Sequence, residues 1–136
     1  MKKVLFVAVL VVALILVVTI PVTAKEFKGD EQHNTIHGTP YSDSIRGLGG
    51  KDDLYGLGGG DHLWGDKDND FLESGPGSDT IYGGRGKDIM HGDAARDVFF
   101  ASGDNKQDWI GGGKGYDLAY MQENDHARGI EKIIWR

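Results

Sequence analysis

Residues 47–64 read GLGGKDDLYGLGGGDHLW, two successive nine-residue units with glycine at the first, third and fourth places, aspartate at the sixth and leucine at the eighth. The six-residue opening suits a chain that must turn sharply, through backbone conformations that side chains disfavour. The last three residues suit a short strand whose middle side chain faces inward while its neighbours face out.

The register extends in both directions from this stretch. Aspartates recur at Asp43, Asp52, Asp61, Asp70, Asp79, Asp88 and Asp97, with Asn34 one step earlier. Two places after each comes an apolar residue: Ile36, Ile45, Leu54, Leu63, Leu72, Ile81, Met90 and Phe99. Ala101 and Ser102 shift the phase by two residues, and it resumes with Asp108 and Asp117 in GDNKQDWIG and GGKGYDLAY. Two columns locked over so many steps argue against the alternative of a flexible glycine-rich tail, because disorder does not require an apolar residue in phase with each acid.

The units resemble the RTX, or hemolysin-type calcium-binding, nonapeptide GGxGxDxUx, which is a known repeat signature. The resemblance spans residues 29–120. GGRGKDIMH and GGKGYDLAY match every defined column, with Met90 and Ala119 weak choices for the large apolar place. Asn34 stands for aspartate in the first unit, and Tyr41, Asp68, Ala95 and Lys106 replace the fourth-place glycine. The resemblance implies an all-β chain, a right-handed parallel β-roll in which two units complete one coil and residues eighteen apart stack. Ile36, Leu54, Leu72 and Met90 would line one wall of a thin core, and Ile45, Leu63, Ile81 and Phe99 the other.

Stacking would place Asn34, Asp52, Asp70 and Asp88 along one edge and Asp43, Asp61, Asp79 and Asp97 along the other, at the strand spacing of about 4.8 Å. If the two-residue slip is absorbed as a bulge, Asp108 joins the first column and Asp117 the second. Like charges this close repel, and two thin apolar walls offer little against that repulsion and the chain entropy. A hard divalent cation that accepts carboxylate and main-chain oxygens in irregular geometry resolves the conflict, which favours Ca²⁺ over Mg²⁺. In the family, the turn carbonyls and the sixth-place aspartates of two stacked turns hold each ion. The implied metal ligands are therefore Asp43, Asp52, Asp61, Asp70, Asp79, Asp88, Asp97, Asp108 and Asp117, paired as Asp52 with Asp70, Asp61 with Asp79, Asp70 with Asp88, and Asp79 with Asp97. The acidic run DKDND at 66–70 does not open an EF-hand, since the sixth loop place is Phe71 where glycine is required and the twelfth is Gly77 where glutamate is.

Composition agrees. The 136 residues carry 15 basic and 21 acidic side chains, a net charge of -6, with 22 glycines and no cysteine. No disulfide or thiolate metal site can form, and the domain is too small for a large apolar core. The acidic balance argues against nucleic acid and anionic membrane surfaces as partners.

Four segments are expected. Residues 1–24, with Lys2 and Lys3 ahead of the apolar run from Val4 and Val22-Thr23-Ala24 before Lys25, read as a helical Sec-type signal peptide. The alternative is an uncleaved anchor, and either option places the remainder outside the cytoplasm. With no cysteine after it, a lipid-modified cysteine anchor is excluded. Residues 25–28 are a short lead, 29–120 the β-roll, and 121–136 a C-terminal cap, in which GIEKIIWR reads as a strand covering the last apolar layer or, alternatively, as an edge for dimerisation.

Trp64, Tyr82 and Phe100 lie eighteen apart on outward places and would stack into one aromatic ladder, a surface for a glycan or a surface protein, or simply good strand residues. No HExxH helix, GxSxG elbow, P-loop or cysteine nucleophile is present, and His33, His37, His62, His91 and His126 have no helix spacing that builds a zinc site. The expected activity is calcium binding by a secreted, non-catalytic module with a structural or adhesive purpose.

Overall fold

The computed structural model describes residues 23–101 and 103–136. The apolar leader, and with it the signal peptide expected from sequence, lies outside the described residues apart from its last two positions. Among those described, no helix is long and apolar enough to cross a membrane.

Thirteen short strands follow one another: β1 (Glu26–Lys28), β2 (Thr35–His37), β3 (Ser44–Leu48), β4 (Asp53–Tyr55), β5 (His62–Lys67), β6 (Phe71–Glu73), β7 (Thr80–Arg85), β8 (Ile89–His91), β9 (Val98–Phe100), β10 (Trp109–Gly111), β11 (Leu118–Met121), β12 (His126–Arg128) and β13 (Lys132–Trp135). Odd-numbered strands form one sheet in the order β1-β3-β5-β7-β9-β11-β13, and even-numbered strands the other, from β2 to β12. Every pairing is parallel. The chain is thus a β-solenoid, two strands to a coil, as the nine-residue period requires.

Strand register follows the apolar column. Ile45, Leu63, Ile81 and Phe99 stand opposite one another in the odd sheet, and Ile36, Leu54, Leu72 and Met90 in the even one. All but Ile36, which packs against them at the end, are fully buried. Burying one such side chain contributes about 1.5–3 kcal/mol. Ile110 continues the even wall and Ala119 the odd one, with Phe27 and Ala127 packed at the ends.

The two-residue shift after Phe100 leaves the ladders intact. Met90 pairs with Ile110 and Phe99 with Ala119, so the strands on either side of the shift keep their register, and among the described residues none of these pairings carries a bulge. Both ends of the described chain join the solenoid. The lead contains β1, whose Phe27 pairs with Ile45 as the first rung of the odd wall. The tail supplies the expected terminal strand: β13 pairs with β11, and β12 with β10, so the closing segment adds one more coil. Its outermost residues Ile133 and Trp135 stay exposed. The repeat signal fades there because Asp125 and Glu131 follow the preceding column members by 17 and 14 residues, where the period demands 18.

Candidate metal centre

Each repeat aspartate stands at the end of a turn, one residue before a strand, so its own amide and carbonyl are committed to the solenoid. The carbonyl of Asp43 accepts the N–H of His62, and that of Asp61 the N–H of Thr80. The side chain points inward between the sheets, where the position of the turn fixes it.

The carboxylates connect coil to coil. On one edge the amide of Lys25 donates to Asp43 Oδ1 (2.7 Å), that of Asp43 to Asp61 Oδ1 (2.7 Å), that of Asp61 to Asp79 Oδ1 (2.7 Å), that of Asp79 to Asp97 Oδ1 (2.9 Å) and that of Asp97 to Asp117 Oδ1 (2.9 Å). On the other edge the chain runs from the amide of Asn34 through Asp52, Asp70, Asp88 and Asp108 to Asp125. All nine aspartates singled out from sequence lie in these columns, and all are buried. Asp108 and Asp117 join the columns expected of them, although the strands stay in register without the bulge on which the sequence reading made this depend.

Sequence reasoning missed the column ends. Asp125 Oδ1 accepts the Asp108 amide at 3.0 Å and Glu131 Oε2 the Asp117 amide at 2.7 Å. Both obey the local rule of an acid followed two places later by an apolar residue, here Ala127 and Ile133, and that rule would have found them.

The second carboxylate oxygen tells a different story. Oδ2 of Asp52, Asp61, Asp70, Asp79, Asp88, Asp97, Asp108 and Asp117 is buried and has no hydrogen-bond partner. Asp43 is the exception, its Oδ2 taking the hydroxyl of Thr39 at 2.7 Å as well as the Thr39 amide. An unpaired buried carboxylate oxygen is costly, and eight in two rows cannot be accidental.

Glycine creates the space these oxygens face. A side chain on Gly47 would meet Asp52 Oδ2 and the carbonyl oxygen of Gly65; on Gly65 it would meet Asp70 Oδ2 and the carbonyl of Gly83; on Gly56, Asp61 Oδ2 and the carbonyl of Ser74. Thus a carboxylate oxygen and a main-chain oxygen from the next coil converge where the missing Cβ would be.

The electrostatics match. Burial, the first cause in each case, pushes Asp61 up to about 7, Asp70 to about 8, Asp88 to about 6, Asp97 to about 7 and Asp108 to about 7. Asp52, Asp79 and Asp117 are raised for the same reason. Neighbouring column members add repulsion, as Asp88 and Asp52 do at Asp70, while the donated amides partly oppose it. A cation between coils removes both penalties.

The donor set selects the cation. Among the described residues no three His, Asp or Glu side chains converge on one point, so carboxylates alone cannot complete a site and main-chain oxygens must contribute. All-oxygen, irregular coordination suits a hard ion of variable geometry. The residues present fit calcium.

The model of the RTX calcium-binding nonapeptide repeat, four copies long, matches the chain twice, over residues 28–63 and 64–99. The chain belongs to the RTX calcium-binding repeat family. Comparison with curated proteins and with solved structures gives no match. As an RTX protein the chain binds calcium ions in several copies, through repeats that the fold brings into register.

The outer face of the odd sheet carries the aromatic ladder, and it is longer than the sequence suggested. Trp64 and Tyr82 stack at 5.6 Å, Tyr82 and Phe100 at 4.6 Å, and Phe100 and Tyr120 at 4.8 Å, all within 6° of parallel. The Arg136 guanidinium lies over Tyr120, 4.4 Å from its centroid. The inner rings therefore cover one another's faces and present edges outward. His37 and His91 lie on the outer face of the even sheet against Tyr55 and Phe71.

Proposed function

We propose that this RTX chain is a secreted, non-catalytic module that orders on meeting calcium and serves a structural or adhesive purpose. The eight unpartnered carboxylate oxygens carry this reading. Six of them, on Asp52, Asp61, Asp70, Asp88, Asp97 and Asp117, face a glycine that leaves them uncovered, and ions held by these residues with Asp79, Asp108 and carbonyls of adjacent coils would neutralise both rows. Asp43, satisfied by Thr39, serves as an end piece of its column.

Extracellular calcium modules bind at about 10⁻⁴ to 10⁻³ M. At such affinity the coil orders where calcium is millimolar and stays loose within the cell, and the leader of residues 1–24 supports export. Ions stacked along one solenoid add their binding free energies to folding. The adhesive surface is the ring edge of Trp64, Tyr82, Phe100 and Tyr120, a shape that suits a flat protein partner better than the stacking of sugar rings.

The test is a calcium titration of residues 25–136 followed by far-ultraviolet circular dichroism, with magnesium as control. A cooperative coil-to-strand transition in calcium alone is expected, and D70N/D79N should move its midpoint to higher calcium. Full order in excess chelator at neutral pH would overturn the reading.

A further inference from the structure

Seven of the eight units between residues 29 and 100 open on glycine, and the eighth, SGPGSDTIY, opens on Ser74. The difference falls at the place where the other units leave room before the aspartate. Ser74 stands to Asp79 and Gly92 as Gly65 stands to Asp70 and Gly83, the pair of oxygens that a side chain on Gly65 would meet. Its side chain is therefore inside the very space that is open elsewhere, and it is completely buried.

What it adds there is an oxygen. Ser74 Oγ lies 3.2 Å from the Gly92 carbonyl oxygen and 3.4 Å from that of His91, within donating distance of both. Asp79 Oδ2 remains buried without a hydrogen-bond donor. The contrast with Thr39 is instructive. That hydroxyl donates straight to Asp43 Oδ2 and closes its turn with no ion required. At Ser74 the contacts within hydrogen-bond distance are to carbonyls and Asp79 Oδ2 has no partner, so three oxygens of different kinds, carboxylate, carbonyl and hydroxyl, belong to one turn.

We propose that Ser74 Oγ is a calcium ligand, making the turn at residues 74–79 a site with one more protein oxygen than the glycine-opened turns. The inference rests on the reading that ions occupy the spaces facing the aspartate Oδ2 atoms. Calcium accepts neutral oxygens as readily as carboxylates within a coordination number of 6–8, so a hydroxyl takes a place otherwise left to water. The carbonyl of Ser74 itself still faces the space before Gly56 and Asp61, so the substitution leaves the neighbouring coil's donor in place.

The test compares the protein recovered from expression of the full chain with S74G, which restores the residue of the other seven units, and S74A, which keeps Cβ and deletes only the oxygen. Bound calcium is counted by native mass spectrometry across a calcium series. At the low end of the series, where the parent protein fills its tightest site and the glycine-opened turns are still empty, both variants should carry one ion fewer, with affinity for that ion lower on the order of tenfold. Excess calcium should restore the ion in S74G. Equal, non-zero counts in all three proteins at every calcium concentration of the series would overturn this inference alone. So would one additional ion in S74G, which would mean that the side chain excludes calcium. No bound calcium in any of them would overturn the underlying reading and this inference with it.

Discussion

At the scale of single residues, the six-residue turn decides which side chains are tolerated. Gly77 and Gly86, at φ of 158° and 141°, pass so close to the carbonyls of Gly59 and Asp68 that a Cβ has no room. Elsewhere the same turn holds ordinary residues in the left-handed region: Leu48 at 83°, Leu57 at 78° and Ala95 at 89°. Each costs on the order of 1 kcal/mol or more relative to glycine in that conformation. Leu57 is the cleanest probe, because its side chain is exposed and little packing is lost with it. L57G should stabilise the calcium-loaded form by about 1 kcal/mol, reduced somewhat by the greater freedom of glycine in the unfolded chain. Denaturant unfolding in saturating calcium checks this; an unchanged or lower midpoint would show that the strain is relieved elsewhere.

At the scale of elements, three-residue strands are too short to stand alone, and their order comes from the two inward columns. Leu72 sits mid-stack in β6, fully buried between Leu54 and Met90. L72A should cost about 2–5 kcal/mol, measured by the same unfolding assay, against well under 1 kcal/mol for an outward substitution such as T80S. These columns, the two sheets and the seven aspartates from Asp43 to Asp97 were legible in the sequence because one inward position repeats in phase from Gly29 to Phe100, and Asp108 and Asp117 because the same pattern resumes after the two-residue shift. The ends were less legible for a physical reason. A terminal coil has a neighbour on one side only, so its spacing and residue types are less constrained: Phe27 begins the odd wall without a repeat unit ahead of it, Asp125 arrives one residue early, and Glu131 replaces aspartate with a longer side chain across a shorter loop. The role of Thr39 at Asp43 was hidden as well, since only the folded turn brings its hydroxyl onto the carboxylate.

At the scale of the whole molecule, the two rows of buried carboxylates make calcium and protons alternative ways of cancelling the same charge. In the metal-free solenoid, burial raises Asp61, Asp97 and Asp108 to about 7, Asp70 to about 8 and Asp88 to about 6. The unfolded chain releases the same protons near the ordinary carboxylate value of about 3.9. Between these limits the ordered form holds protons that the coil does not, so its stability decreases with rising pH and is lost as pH passes through about 6 to 8. Below the ordinary value both forms are protonated and the contribution is fully present. The chain should therefore show strand structure by circular dichroism in calcium-free buffer at pH 5 and lose it by pH 8, where added calcium restores it. With calcium saturating at neutral pH and above, the ions hold the carboxylates ionised, and order should no longer decline as pH rises through this window. Calcium-free order that does not change between pH 5 and pH 8 would mean that the carboxylate rows are not what opposes folding.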